Sequence, residues 1–179
     1  MSLRNTETVI DEPTSASPPW LTLEPLFEAE LRYTSESPED AVVPPESREG
    51  VYLGSGDGTI SGKTLQGTIR WSFYSADCMY LLVRRGEEVP PGQHLCYDNP
   101  GGFIETTDGA RIRFDAKGYG LRGFDPTRPH LWRLTMALQL STDDSRYDWL
   151  NTRLGVWEGQ FDEQTASARY RAYLQGTDK

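Results

Sequence analysis

At 179 residues, of which 36% are hydrophobic, the chain is long enough for one domain with a sizeable core and leaves little room for a second. A net charge of −9 excludes a phosphate-tracking surface, which needs clustered Lys and Arg, so nucleic acid is not an expected partner. No apolar run approaches the roughly 18 residues that span a bilayer, the N-terminus lacks the apolar stretch of a signal peptide, and two cysteines, Cys78 and Cys96, make no disulfide framework; a cytoplasmic protein with no membrane partner is expected.

Residues 1–19 mix Ser, Thr, Pro and acids, too polar to offset their ordering entropy, and read as a flexible tail ahead of a single domain over 20–179. An opening strand is expected around Leu26–Tyr33, followed by a Pro-rich loop over 35–49. In "GVYLGSGDGTISGKTLQGTIRWSFY" a strand, a glycine-rich bend and a second strand follow. Leu65, Gly67, Ile69, Trp71 and Phe73 share one face of the second strand, against Gln66, Thr68, Arg70 and Ser72. The bend is no phosphate loop: Asp57 stands where the first glycine of that pattern belongs, and a strand rather than a helix follows. "CMYLLVRR" and "HLCYDN" are two further short runs.

Asp108-Gly109 then signals a two-residue hairpin, since Asp tolerates and Gly readily adopts the positive φ that such a turn needs. With that loop length, Glu105 faces Ile112 and Phe103 faces Phe114. Phe103, Glu105, Thr107, Ala110, Ile112 and Phe114 thus fall on one inward face. Next, Trp132, Leu134, Met136, Leu138 and Leu140 alternate with polar residues, as do Ala168, Tyr170, Ala172 and Leu174 near the end. Between these two strands lies the one short helical turn, expected near 143–150. The class is all-β, and a closed antiparallel barrel of about eight strands is preferred to a sandwich, because closure removes exposed edges.

Few chemical motifs survive. His94 and His130 have no second His or Cys at the spacing of a zinc site, and no Gly-x-Ser-x-Gly elbow occurs; neither a metal nor a cofactor is expected. An inward Glu105 is the candidate catalytic residue, because a carboxylate in a dry pocket has its charged form disfavoured and is tuned for proton transfer. The competing reading is structural: a bulge that turns Glu105 to solvent, or an arginine partner. Tyr147, Trp149 and Asn151 group hydroxyl, indole and amide in one irregular segment and, with Trp71, are the candidate ligand-binding residues; a hydrophobic plug is the alternative for that segment.

The runs "LFEAELRY", "GDGTISGKTLQGTIRW", "ETTDGARIRFDAKG" and "SRYDWLNTRLGVWEGQF" resemble the domain of unknown function 3237 family, over about 23–174. The resemblance implies a closed antiparallel barrel like the allene oxide cyclase and lipocalin-like barrels, with an interior able to hold a small molecule, and supplies no activity. The acidic loop at 35–49 and "CMYLLVRRGEEVPPGQHLCYDNPGG" depart from the family's usual pattern. Three functions follow as expectations. One is a binder of a small hydrophobic or carbonyl-containing molecule. A second is a cofactor-independent isomerase, cyclase or hydratase with Glu105 as proton shuttle and Tyr147 or Asn151 polarising an oxygen. The third is a filled barrel that forms a homo-oligomer.

Overall fold

The computed structural model describes residues 22–36, 49–77, 94–123 and 125–176. The expected tail at 1–19, most of the loop at 35–49, the run at 78–85 and Cys78 lie outside the described residues. Among the described residues nine strand segments make the sheet: β1 (Leu23–Glu36), β2 (Glu49–Ser61), β3 (Gly67–Asp77), β4 (His94–Asp98), β5 (Gly101–Thr106), β6 (Arg111–Arg122), β7 (Leu131–Ser141), β8 (Leu154–Asp162) and β9 (Ser167–Gln175). Each pairs antiparallel with its neighbours, and the pairing of β1 with both β2 and β9 closes the ring.

The nine segments form an eight-stranded closed barrel, because β4 and β5 are two halves of one strand. His94 pairs with Arg122 and Asp98 with Gly118, while Gly101 pairs with Asp115 and Glu105 with Arg111, all in a single register on β6. Only Asn99 and Pro100 interrupt the ladder. Pro100 has no N–H to give it, although its carbonyl still accepts from the Ala116 N–H at 2.8 Å. Along this strand Cys96, Asp98, Pro100, Ile104 and Thr106 are buried, and Leu95, Tyr97, Phe103 and Glu105 are exposed.

Period-two alternation decides the interior. As read from sequence, Leu65, Ile69 and Trp71 are buried together on β3 and its approach, Trp132 through Leu140 on β7, and Ala168, Tyr170, Ala172 and Leu174 on β9. The helical turn is a 3-10 turn at Asp148–Thr152, slightly later than expected, and Leu150 on it is fully buried. It closes one end of the barrel, the floor, together with the turns at 62–66 and 107–110. At the other end, the mouth, lie the described connections 125–130 and 163–166.

The hairpin carries the main departure from expectation. Thr106 pairs with Ala110 through the Thr106 N–H, which donates to the Ala110 carbonyl at 2.9 Å, so the loop is Thr107-Asp108-Gly109, three residues rather than two. Gly109 takes φ +87°, the left-handed residue that ends such a loop. One extra residue moves the register by one and turns every side chain of β5 to the opposite face. Ile104 and Thr106 therefore point in, and Phe103 and Glu105 point out.

Candidate functional site

Glu105 sits on the outer surface with its side chain 51% exposed, where its Oε1 accepts from Arg70 at 2.8 Å. The inward orientation expected of it is corrected by the three-residue loop, and the competing reading, an outward glutamate with an arginine partner, describes what the fold contains.

Tyr147, Trp149 and Asn151 come together at the floor. The Tyr147 hydroxyl donates to Asp108 Oδ2 at 3.0 Å, and Arg146 donates to the same oxygen at 2.9 Å while pairing with Asp144 through its other nitrogen. Asp108 also accepts from the Thr106 hydroxyl, and that contact, then Tyr147 and Arg146, holds its carboxyl below the usual range against an opposing desolvation. Asn151 is exposed and brackets one residue: its Oδ1 accepts from the Thr142 N–H at 2.8 Å and its Nδ2 donates to the Thr142 carbonyl at 3.0 Å. Trp149 is half-buried, packed against the core with Arg153 over its ring. Tyr147 and Arg146 tie the 142–153 segment to the hairpin, and Asn151 braces the segment internally.

Trp71 belongs to the opposite half of the barrel. Its ring packs over Gly56, where an added Cβ would lie 2.6 Å from the indole, so only glycine permits this seat. Tyr33 meets Trp71 edge-on at 4.6 Å between centroids and lies 4.4 Å from Phe161. Trp157 and Tyr170, 4.8 Å apart, complete an aromatic wall.

Into this wall points the carboxyl that sequence reasoning missed. Asp98, 5% exposed, projects inward from β4 and, with Leu31, Tyr33, Trp71, Pro100, Trp157, Ala168 and Tyr170, borders an interior space of about 10 Å³. That is room for roughly one water-sized group. Desolvation raises the Asp98 pKa to about 7, opposed only by a hydrogen bond from the Asn99 backbone, and Asp98 Oδ1 and Trp157 Nε1 have no hydrogen-bond partner among the described residues. Burial, then the neighbouring Asp98 and Cys96, pushes the Tyr170 phenol well above its ordinary pKa, so it stays a donor. A carboxyl that changes charge near neutral pH beside a persistent phenol donor is a workable acid–base pair.

Nearer the mouth lies a second buried polar group. Arg122 pairs with Glu163 at 2.9 Å, both side chains under 10% exposed, and donates through Nε to the Pro129 carbonyl at 2.8 Å. The Trp132 indole donates to Glu163, whose pKa is nevertheless raised, chiefly by burial. Arg122 stands four residues beyond Gly118, the partner of Asp98, hence roughly 13 Å along the strand. The two clusters are therefore separate.

The sequence signal for Asp98 was present but reversed. In "HLCYD" the apolar Leu95 and Tyr97 claim the inward face by hydrophobicity, yet both are 53% exposed. Continuing the alternation backward from Ile104 and Thr106 through Pro100 selects Cys96 and Asp98 instead. Among the described residues no three His, Cys, Asp or Glu side chains group to hold a metal ion, and no helix is long and apolar enough to cross a membrane.

Residues 21–174 match the family described as "Protein of unknown function (DUF3237)", and the chain belongs to it. No curated protein matches the chain. Among solved structures it is similar to a β-barrel-like protein from Acinetobacter baumannii (TM-score 0.66, 20% identity, 90% of this chain and 99% of that one). It is also similar to a protein of unknown function from Clostridium acetobutylicum (0.65, 14%, 87% and 97%). A third similar structure is an enzyme from Penicillium herquei (0.50, 18%, 86% and 94%). At these identities the likeness is one of fold.

Proposed function

We propose that this member of the DUF3237 family binds a small, largely apolar molecule through the mouth half of its barrel and transfers a proton to or from it with Asp98. The observation that carries the reading is a buried carboxyl with an unpartnered oxygen inside an aromatic wall. Leaving such a group unpaired costs folding stability, about 1–3 kcal/mol, so its retention points to use. The space beside Asp98 admits one oxygen-sized group, so the ligand presents a carbonyl or hydroxyl there, next to Tyr33 and Trp71. Tyr170 supplies a neutral donor near the developing charge. No cofactor enters this scheme. The enzyme from Penicillium herquei indicates that a barrel of similar fold serves catalysis in that protein.

The test is a thermal-shift screen of wild type, Asp98→Asn and Glu105→Gln against small hydrophobic carbonyl, hydroxyl and carboxylate compounds. A compound that raises the melting temperature of wild type and Glu105→Gln with concentration, and no longer does so for Asp98→Asn, supports the reading. A compound that stabilises all three equally overturns the role of Asp98.

A second reading, homo-oligomerisation, is favoured by a different surface. Leu95, Tyr97 and Tyr119 are each more than half exposed side by side on β4 and β6, with the two tyrosine rings 5.2 Å apart, an apolar patch typical of contact surfaces. Sedimentation of wild type against a Tyr97→Lys/Tyr119→Lys double variant tests it: a dimer that becomes a monomer supports the interface, and a monomeric wild type overturns it.

A further inference from the structure

Asp98 and Trp157 line the same interior space, and each carries a buried polar atom with no hydrogen-bond partner among the described residues, the two atoms being of opposite kinds. Trp157 Nε1–H can only donate, and Asp98 Oδ1, when ionised, can only accept. A single group satisfies both if it accepts on one side and donates on the other, and the space of about 10 Å³ holds one small oxygen. We infer that Trp157 and Asp98 form a binding site for one hydroxyl oxygen, occupied by water in the ligand-free protein.

The site is built from opposite walls of the barrel. Trp157 comes from β8, held edge-on against Phe114 at 5.4 Å and tilted against Tyr170 at 4.8 Å, which fixes the direction of its N–H. Asp98 comes from β4, immediately before the proline break in the ladder. Among the described residues the space is also lined by Tyr170 from β9, Tyr33 from β1 and the Trp71 indole from β3, with Cys96 two residues from Asp98 on its own strand, and no described arginine or lysine lines it. The bound oxygen therefore adds to the Asn99 backbone hydrogen bond in solvating the carboxylate. A buried water making two such bonds is ordinary in globular proteins.

The inference rests on the proposed use of the Asp98 pocket and narrows it. While Asp98 is ionised, a carbonyl oxygen would place acceptor against acceptor, whereas an alcohol or phenol hydroxyl replaces the water bond for bond. The ligand class above thus contracts to hydroxyl-bearing molecules, whose O–H donates to the carboxylate while the hydroxyl oxygen accepts from the Trp157 indole N–H.

The experiment uses the full chain labelled with 15N at the tryptophan indoles. The Trp157 resonance is assigned by its disappearance in Trp157→Phe, and cross-relaxation to water is read at pH 8. The expected result is a direct cross-peak with the sign of a long-lived bound water, and an indole shift that moves with pH around 7 and no longer moves in Asp98→Asn. A sharp Trp157 resonance with no water cross-peak in the folded wild type overturns the inference, whichever way the variants behave. Ligand screening stands apart: an Asp98-dependent hit without the water signal leaves the proposed function and removes this site, and the water signal without any hit does the reverse.

Discussion

The two ends of the barrel solve one problem in different ways. At the floor, Leu65, Ile69, Ile104, Ile112, Leu138 and Leu150 are at most 1% exposed, and the polar groups nearby pair at the surface. Each such side chain stabilises the fold by about 1.5–3 kcal/mol. Tyr147, Arg146, Asp108 and Asn151 then pin the closing segment in place. Toward the mouth the wall is aromatic and contains all three of the buried charged side chains among the described residues, Asp98, Arg122 and Glu163. Such groups oppose folding unless paired. Arg122 and Glu163 have each other, and Asp98 has no ionic partner among the described residues. The difference teaches where stability and chemistry are divided in this molecule: the floor is packed for the first, and the mouth half retains what the first would discard.

The contrast can be broken most forcefully at the floor. Phe114→Ala, removing a ring that is 1% exposed, should cost about 3–5 kcal/mol in urea unfolding, with no pH dependence of the loss between pH 5 and 9. A comparable loss is expected at the mouth from Arg122→Met, about 3–5 kcal/mol, because Glu163 is left buried without its partner. The double variant Arg122→Met/Glu163→Leu should recover most of it, and equal losses in single and double variants would show that packing rather than charge explains the first.

Asp98→Asn should act in the opposite direction. The folded-state pKa of about 7 lies above the ordinary 3.8, so the folded protein binds the proton more tightly than the unfolded chain. The associated stability is fully present below pH 3.8 and is lost as pH rises through 7. Wild type should therefore weaken across that window by up to about 4 kcal/mol. Asp98→Asn should remove that slope and be the more stable protein at pH 8; identical pH profiles would place the carboxyl in a wetter setting. Smaller again, Thr106→Val removes an acceptor for the Ala110 N–H and a donor to Asp108, for a loss of about 1–2 kcal/mol that tests the three-residue hairpin. Smallest is Glu105→Gln, at about 0–1 kcal/mol, since its bond to Arg70 is exposed.

How much could be read without coordinates differs by element. The strands from Leu65 to Trp71, Trp132 to Leu140 and Ala168 to Leu174 alternate over enough residues that one buried face was unambiguous. The hairpin was not, because Thr-Asp-Gly serves a three-residue loop as well as Asp-Gly serves two. A single residue of loop length exchanges the faces of β5. A two-residue loop places Glu105 inward; the three-residue loop places it outward, and the same strand, followed back through Pro100 in one register, carries Asp98 inward.

The amino-acid order by itself determined that the chain would be all-β and favoured a closed antiparallel barrel over a sandwich, because side-chain alternation and turn residues act over a few neighbouring positions and are visible along the chain. Only the tertiary structure decided which face of β4 and β5 looks inward. That choice depends on the length of the turn into β6 and on hydrogen bonds to β3, a strand distant in sequence. Whether a carboxyl meets water or an aromatic wall is settled by that register, which the turn at 107–109 sets and which runs from Glu105 back to Asp98.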